Sequence, residues 1–176
     1  MVKEIRGRKL NLLIESSEIK QKVHELGKQI TNDYQDKNLL IIGILKGSFI
    51  FLADLIRSID INTEIDFIRV SSYKDEMTPG NIELVTDLGV SINDRDILLV
   101  EDLLDNGGTL NFIREKILSN QPASFKTCVL LNKKKTRQFN IRVDYIGFEI
   151  DDKFVVGYGT DLAEEGRNLP DIYVIE

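Results

Sequence analysis

Ile97-Leu98-Leu99-Val100-Glu101-Asp102-Leu103-Leu104-Asp105-Asn106-Gly107-Gly108-Thr109-Leu110 decides how the rest of this 176-residue chain is read. Four aliphatic residues lead into two adjacent carboxylates. A glycine-rich turn follows, and Thr109 opens a helical pattern with Leu110, Ile113 and Ile117 on one face. Unbroken apolar character predicts a strand, Asp96 to Glu101, covered on both sides, as in a parallel sheet. Gly107 and Gly108 let the backbone approach a ligand closely, so that consecutive N–H groups can converge on phosphate oxygens. The helix N-terminus adds donors and partial positive charge, and Asn106 and Thr109 offer side-chain donors. Glu101 and Asp102 are poor partners for a phosphate. They suit ribose hydroxyls, or a Mg²⁺ ion with its preference for oxygen ligands. A plain turn between solvated acids is the competing reading of so short a motif; the apolar strand and double acid weigh against it.

Working outward, Leu39 to Leu45 is another continuous apolar run, ending in Lys46-Gly47. Ser48 is placed to cap a helix over Phe49 to Ile59. Strands are expected at 64–72, Ile82 to Thr86, Phe125 to Leu131, Val143 to Ile150, Phe154 to Tyr158 and Ile172 to Ile175. Ile19, Val23, Leu26 and Ile30 recur at helical spacing behind Ser16 and Ser17, either of which could cap. Tyr73 to Asn81 is a long polar loop with Pro79-Gly80, of the kind that serves as a lid. Strands alternating with helices predict an α/β domain with a mainly parallel sheet. Ligands bind outside the carboxyl ends of such strands. Lys46-Gly47, Glu101-Asp102 and Asn132-Lys133 all fall there.

Hydrophobic residues make up 42% of the chain and charged residues 30%, enough for a sizeable core in one domain. The net charge of -6 argues against a nucleic-acid protein held by a broad basic surface. The single cysteine, Cys128, excludes an internal disulfide framework and makes a cytoplasmic setting the natural expectation. Its apolar strand makes it a core residue. No apolar run approaches the roughly 20 residues of a membrane span, and Met1 to Lys9 lacks the apolar segment of a signal peptide. His24 has no histidine or cysteine partners near it in sequence, which leaves zinc chemistry unsupported.

Val100-Glu101-Asp102-Leu-Leu-Asp105-Asn-Gly-Gly-Thr109 resembles the phosphoribosyl-diphosphate-binding motif of the type I phosphoribosyltransferases. Gly43 to Leu55, Val70 to Tyr73, Val143 to Glu149, and Lys153 to Tyr158 through Asp161 to Arg167 narrow the resemblance to hypoxanthine-guanine phosphoribosyltransferases. These segments keep the family's order from about residue 40 to 175.

The resemblance implies a Rossmann-like core with a mainly parallel sheet, in a single domain over residues 1–176. A small hood would be built from about residues 150–176 and N-terminal segments. It implies a Mg²⁺-dependent transferase of purine salvage, joining hypoxanthine or guanine to phosphoribosyl diphosphate through an oxocarbenium-like transition state. The products would be IMP or GMP, with release of pyrophosphate.

By the same resemblance Asp105 is the catalytic acid that handles the proton on purine N7. Glu101 and Asp102 match ribose-contacting, Mg²⁺-associated acids, and Asn106, Gly107, Gly108 and Thr109 match the 5′-phosphate cradle. Lys46-Gly47 matches a pyrophosphate-holding loop in which the family carries an unusual cis peptide. Lys133 matches the donor to purine O6, Phe154 the stacking aromatic, and Val155 a backbone that reads the base edge. Asp161 matches a second Mg²⁺ site and Arg167 a pyrophosphate contact. Ser72 and Tyr73 match the start of a closing lid. The family often has threonine at Asn106, lysine at Gly108 and tyrosine at Leu162. A homo-oligomer, dimer or tetramer, is implied as well, with no nucleic-acid partner and no membrane.

Two other classes compete. A regulator that kept the fold and lost the activity would bind RNA in some cases; the acidic composition and the presence of Asp105 and Lys133 speak against it. A phospho-acceptor receiver domain also ends an apolar strand in adjacent acids, but near the N-terminus of a shorter domain.

Overall fold

The computed structural model describes residues 4–72, 82–133, 135, 136 and 138–176, with Ser72 described in its backbone only. Tyr73 and the expected lid lie outside the described residues. The elements in chain order are β1 (Glu4–Ile5), β2 (Arg8–Ile14), α1 (Ser16–Asp33), β3 (Leu39–Leu45), α2 (Phe49–Ile56), β4 (Glu64–Ser72), β5 (Ile82–Thr86), β6 (Asp96–Leu104), α3 (Gly108–Leu118), β7 (Ser124–Lys133), β8 (Tyr145–Ile150), β9 (Val155–Val156) and β10 (Ile172–Ile175).

The main sheet runs β5-β4-β3-β6-β7-β8. All neighbours are parallel except β5, which lies antiparallel on the edge against β4. Successive residues of the central strands point to opposite faces, and both faces are buried. Leu39, Ile41, Leu98, Val100, Cys128 and Leu130 pack with Ile19, Val23, Leu26 and Ile30 of α1 and Phe51, Leu52 and Leu55 of α2. Leu40, Ile42, Ile97, Leu99 and Val129 pack with Leu110, Ile113 and Ile117 of α3. This two-sided cover is why β3 and β6 read as unbroken apolar runs rather than alternating ones. Ile113 has no exposed surface, so Ile113→Ala is expected to cost about 2–5 kcal/mol of stability in urea unfolding. An unchanged unfolding midpoint would show that α3 is not a structural part of the core.

The chain winds from β3 outward to β4 and, from β6, the other way to β7 and β8. The direction reverses between β3 and β6, and ligands sit at such a switch point in open α/β sheets. A second, antiparallel sheet, β1-β2-β10-β9, joins the chain's two ends. Its C-terminal strands were expected, whereas β1 and β2 were not, because β2 carries Arg8, Lys9 and Asn11 among its leucines.

Several local expectations are corrected. The cap of α1 is Glu15, not Ser16 or Ser17: the Glu18 carboxylate accepts the Glu15 backbone N–H at 3.0 Å in a capping box. Ser48 precedes α2 but does not cap it with its side chain; its hydroxyl donates to the Ile44 carbonyl at 2.7 Å. α2 stops at Ile56, short of the expected Ile59, and β6 continues three residues past Glu101. β8 begins at Tyr145 rather than Val143, and β9 holds only Val155 and Val156.

Candidate active site

Glu101 and Asp102 lie inside β6, not in the loop beyond it, and each is only 8% exposed. Burial pushes the Glu101 carboxyl well above its ordinary range, with the adjacent Asp102 adding to it. Burial raises Asp102 as well, against the opposing pull of Glu101, of the Asp102 and Leu103 backbone groups and of nearby Arg167. Two buried neighbouring carboxylates hold protons strongly for the reason they would hold a cation strongly: unrelieved negative charge in a low dielectric.

Gly47 explains how Asp102 fits. A Cβ at Gly47 would overlap the Asp102 carboxylate, and a Cβ at Gly159 would overlap the Gly47 carbonyl. Three chain segments therefore meet at a point with room only for backbone. The peptide before it, Leu45–Lys46, is cis, one bond earlier than Lys46–Gly47. Gly47→Ala is expected to displace Asp102 and lower kcat/KM by about a hundredfold, the typical effect of a misplacement near 1 Å. Steady-state kinetics on the folded variant would check this, and wild-type activity would refute the packing role of Gly47.

Asp105 stands just past β6, and its Oδ2 lies 3.1 Å from Nζ of Lys133, the last residue of β7. Lys133 is 5% exposed and also reaches Asp152 Oδ1 at 3.3 Å. Burial alone would raise the Asp105 carboxyl, but Thr136 and Lys133 outweigh it and hold it below the usual carboxylate range. The Thr136 hydroxyl lies outside good hydrogen-bond geometry to the described residues, so the Lys133 contact is the firmer of the two.

The turn after Asp105 is built as a cradle. Gly107 has φ 87°, a left-handed conformation that favours glycine. Gly108 and Thr109 form the first turn of α3. Asn106 uses its side-chain oxygen to accept the Gly108 N–H at 2.9 Å, and its carbonyl accepts the Gln138 N–H at 3.0 Å. Its side chain thus organises the loop, a role the sequence reading had not given it.

Asp102, Leu103, Asp105, Lys133, Phe154, Val155, Thr160 and Asp161 line one cleft of about 140 Å³. Phe154, 55% exposed, stands at its edge, while Val155 is buried in β9. The second sheet thus contributes one wall and the carboxyl ends of β6 and β7 the other. A larger concavity of about 340 Å³, lined by Asp87, Ser91, Lys116 and Asn120, is separate. It lacks the convergent acids and buried lysine that mark the smaller one.

Asp161 and Arg167, matched above to separate roles, are paired at 2.8 Å. Arg167 also donates to the Gly159 carbonyl at 2.8 Å and approaches Glu164 at 3.1 Å. Lys46 contacts the same Glu164 at 2.8 Å. The structure thus gathers Gly47, Asp102, Asp105, Lys133, Asp161 and Arg167 on one rim, with Lys46 joined to it through Glu164. Ser72 ends β4, paired with Ile82 on the sheet edge. Asp152, Thr160 and Glu164 were missed. Asp152 falls between two expected strands, and nothing in the spacing of the other two sets them apart.

A glycine turn at the switch point of a parallel sheet, with buried acids beside it, accords with the class: the chain belongs to the phosphoribosyltransferase family, matching the phosphoribosyl transferase domain over residues 13–162. Within that class it is similar to the hypoxanthine-guanine phosphoribosyltransferase of Aquifex aeolicus, 46% identical over 99% of both chains. It is 42% identical to the hypoxanthine phosphoribosyltransferase of Escherichia coli K12 over 92% of each. A crystal structure of a hypoxanthine-guanine phosphoribosyltransferase from Bacillus anthracis superimposes with a TM-score of 0.90 at 41% identity, covering 94% of this chain and 98% of that one. The α/β architecture with its small second sheet is the type I phosphoribosyltransferase fold.

Proposed function

We propose that this chain transfers the 5-phosphoribosyl group from phosphoribosyl diphosphate to hypoxanthine or guanine, forming IMP or GMP and releasing pyrophosphate. The observation that carries this reading is the Asp105–Lys133 couple, an acceptor and a donor 3.1 Å apart at the floor of the cleft. A 6-oxopurine offers a matching edge: O6 accepts and the N7 proton donates. Lys133 takes O6, and the Asp105 carboxylate takes the N7 proton as a purine nitrogen bonds to C1 of the ribose and the C1–oxygen bond to the diphosphate breaks. The depressed Asp105 carboxyl is ionised at neutral pH and so ready to accept. Asp152 keeps Lys133 paired when the purine draws on it. Adenine presents an amino donor where Lys133 also donates, so the two repel.

Phe154 stacks on the purine, and the Val155 backbone faces the base edge. Asn106 through Thr109 hold the 5′-phosphate, with the α3 N-terminus behind them. Lys46, Gly47 and Arg167 hold the diphosphate. Among the described residues no group of three or more metal-ligating side chains converges. That suits Mg²⁺, which uses one or two carboxylates and completes its shell with water and substrate oxygens. The buried Glu101 and Asp102 fit one such ion and Asp161 a second; when bound, such ions would neutralise charge on the diphosphate. Residues 1–176 form one domain, with the second sheet as hood over the base. No described helix is long and apolar enough to cross a membrane; a cytoplasmic homo-oligomer, dimer or tetramer, completes the reading.

Nucleotide formation from phosphoribosyl diphosphate, with hypoxanthine, guanine and xanthine offered separately, tests the reading. Product from hypoxanthine or guanine, lost when Mg²⁺ is chelated, is expected. Folded protein that forms no nucleotide with any of them would refute it.

A further inference from the structure

The two cations assigned to the diphosphate already have a partner. Glu164 lies 2.8 Å from Lys46 Nζ through Oε1 and 3.1 Å from Arg167 Nη2 through Oε2. Its two oxygens are thus divided between the two cations, in the way the oxygens of a diphosphate would be. Asp161 takes Arg167 at 2.8 Å as well.

The backbone is bent to produce this contact. Leu162 and Glu165 exchange both of their backbone hydrogen bonds, at 3.0 and 3.1 Å, which closes a two-residue hairpin turn over Ala163 and Glu164. Both central residues have positive φ, 49° and 72°. Tight hairpins of this kind take Asn-Gly or Asp-Gly by preference, and a side chain such as glutamate is disfavoured there. The turn is pinned from two sides. Arg6 donates to the Ala163 carbonyl at 3.3 Å and to Glu165 at 3.0 Å, and the Glu164 N–H donates to Asp161 at 2.8 Å. Strained positions that the surroundings over-determine mark places where the side chain has a task.

We propose that Glu164 is a displaceable internal anion: it occupies Lys46 and Arg167 in the empty site, limits the affinity for the diphosphate group, and reclaims both cations as pyrophosphate leaves. This rests on the reading of Lys46 and Arg167 as the diphosphate-holding pair. Glu164 is well exposed, so it can swing away at little cost, and its ion pairs are screened by solvent. Glu164 is then a positioning residue. It keeps the two cations neutral and oriented until a more highly charged anion displaces it, and it opposes trapping of the product.

The test is titration calorimetry of inorganic pyrophosphate, at fixed Mg²⁺, into wild type, Glu164→Gln, Glu164→Gly and Lys46→Met. Glu164→Gln removes the charge and keeps the side chain; Glu164→Gly also relaxes the turn. Both are expected to bind pyrophosphate about fivefold more tightly than wild type, the scale of two exposed ion pairs released from competition. Product inhibition by pyrophosphate should strengthen in parallel, and the gain should shrink as salt rises. Lys46→Met is expected to weaken pyrophosphate binding. Weakened or unchanged binding in Glu164→Gln, with Lys46→Met impaired, overturns the proposal and leaves the diphosphate reading standing. A gain confined to Glu164→Gly assigns the effect to the backbone and overturns the electrostatic role. Wild-type affinity in Lys46→Met removes the diphosphate reading itself, and the proposal with it.

Discussion

Asp105→Asn is expected to lower kcat by about 10²–10⁴, the usual contribution of a positioned general acid or base, while phosphoribosyl diphosphate binds nearly as before. The substitution keeps the shape of the side chain and removes its capacity to take a proton. The fold should tolerate it for a specific reason. Lys133 is buried and cannot be left alone, but Asp152 at 3.3 Å still pairs with it. The asparagine oxygen can also still accept from Lys133 Nζ. The proposed phosphate cradle depends on the Asn106–Gly108 bond and the start of α3, neither of which passes through the Asp105 carboxylate. Single-turnover nucleotide formation, with diphosphate affinity measured separately, resolves the two effects. Turnover equal to wild type would remove Asp105 from the chemistry. A loss of diphosphate affinity as large as the loss of rate would make it a binding residue.

The second large effect belongs to Lys133. Lys133→Ala removes the proposed charged hydrogen bond to O6, worth about 1.5–3 kcal/mol, so KM for hypoxanthine should rise roughly ten- to a hundredfold. It also removes a group that depresses the Asp105 carboxyl. In the parent the Asp105 carboxyl lies below its ordinary value, because Thr136 and Lys133 outweigh burial. Activity that needs the carboxylate is therefore retained down to low pH and fails only as pH falls through the lowered value. Without Lys133 one of the two influences that oppose burial is lost and the value rises. The acid limb of kcat/KM should accordingly move to higher pH in Lys133→Ala. An unchanged KM for hypoxanthine would count against the O6 contact, and an unmoved acid limb against the coupling to Asp105.

The parts of this site that the sequence disclosed are those carried by single strands. Leu39 to Leu45 is apolar throughout because both faces are buried, so β3 and its Lys46-Gly47 end were readable without the fold. The same holds for Lys133 at the end of β7 and for the glycine turn before α3. The readable signal misled at β6. The strand was expected to end at Glu101, leaving Asp102 to start a loop, because carboxylates seldom lie deep in a central strand. β6 continues to Leu104, and Asp102 lies against the Gly47 backbone, which a chain of letters does not display. β2 escaped notice because it is an amphipathic strand with charged residues, recognisable only once β10 pairs with it.

The sequence placed Lys46-Gly47, Glu101-Asp102 and Asn132-Lys133 on one rim, but the individual contacts across that rim were not readable. Lys46 and Glu164 are 118 residues apart in the chain, and Lys133 and Asp105 are 28 apart. Their contacts follow from strand order and from how the second sheet closes on the first. Asp161 and Arg167 were each given a role from motif position. Their pairing at 2.8 Å puts the two side chains in one network. Cys128 and His24 ended where their surroundings placed them: Cys128 is fully buried, with its thiol pushed up by burial, and His24 lies on α1.

The central claim is that the Asp105–Lys133 couple selects the 6-oxopurine edge. The ratio of kcat/KM for hypoxanthine to that for adenine, measured with saturating phosphoribosyl diphosphate and Mg²⁺, tests it most directly. A site whose buried hydrogen-bonding groups oppose the wrong partner discriminates by about 10⁴, so hypoxanthine should be preferred by a factor of that order. Comparable turnover of the two bases would contradict the account.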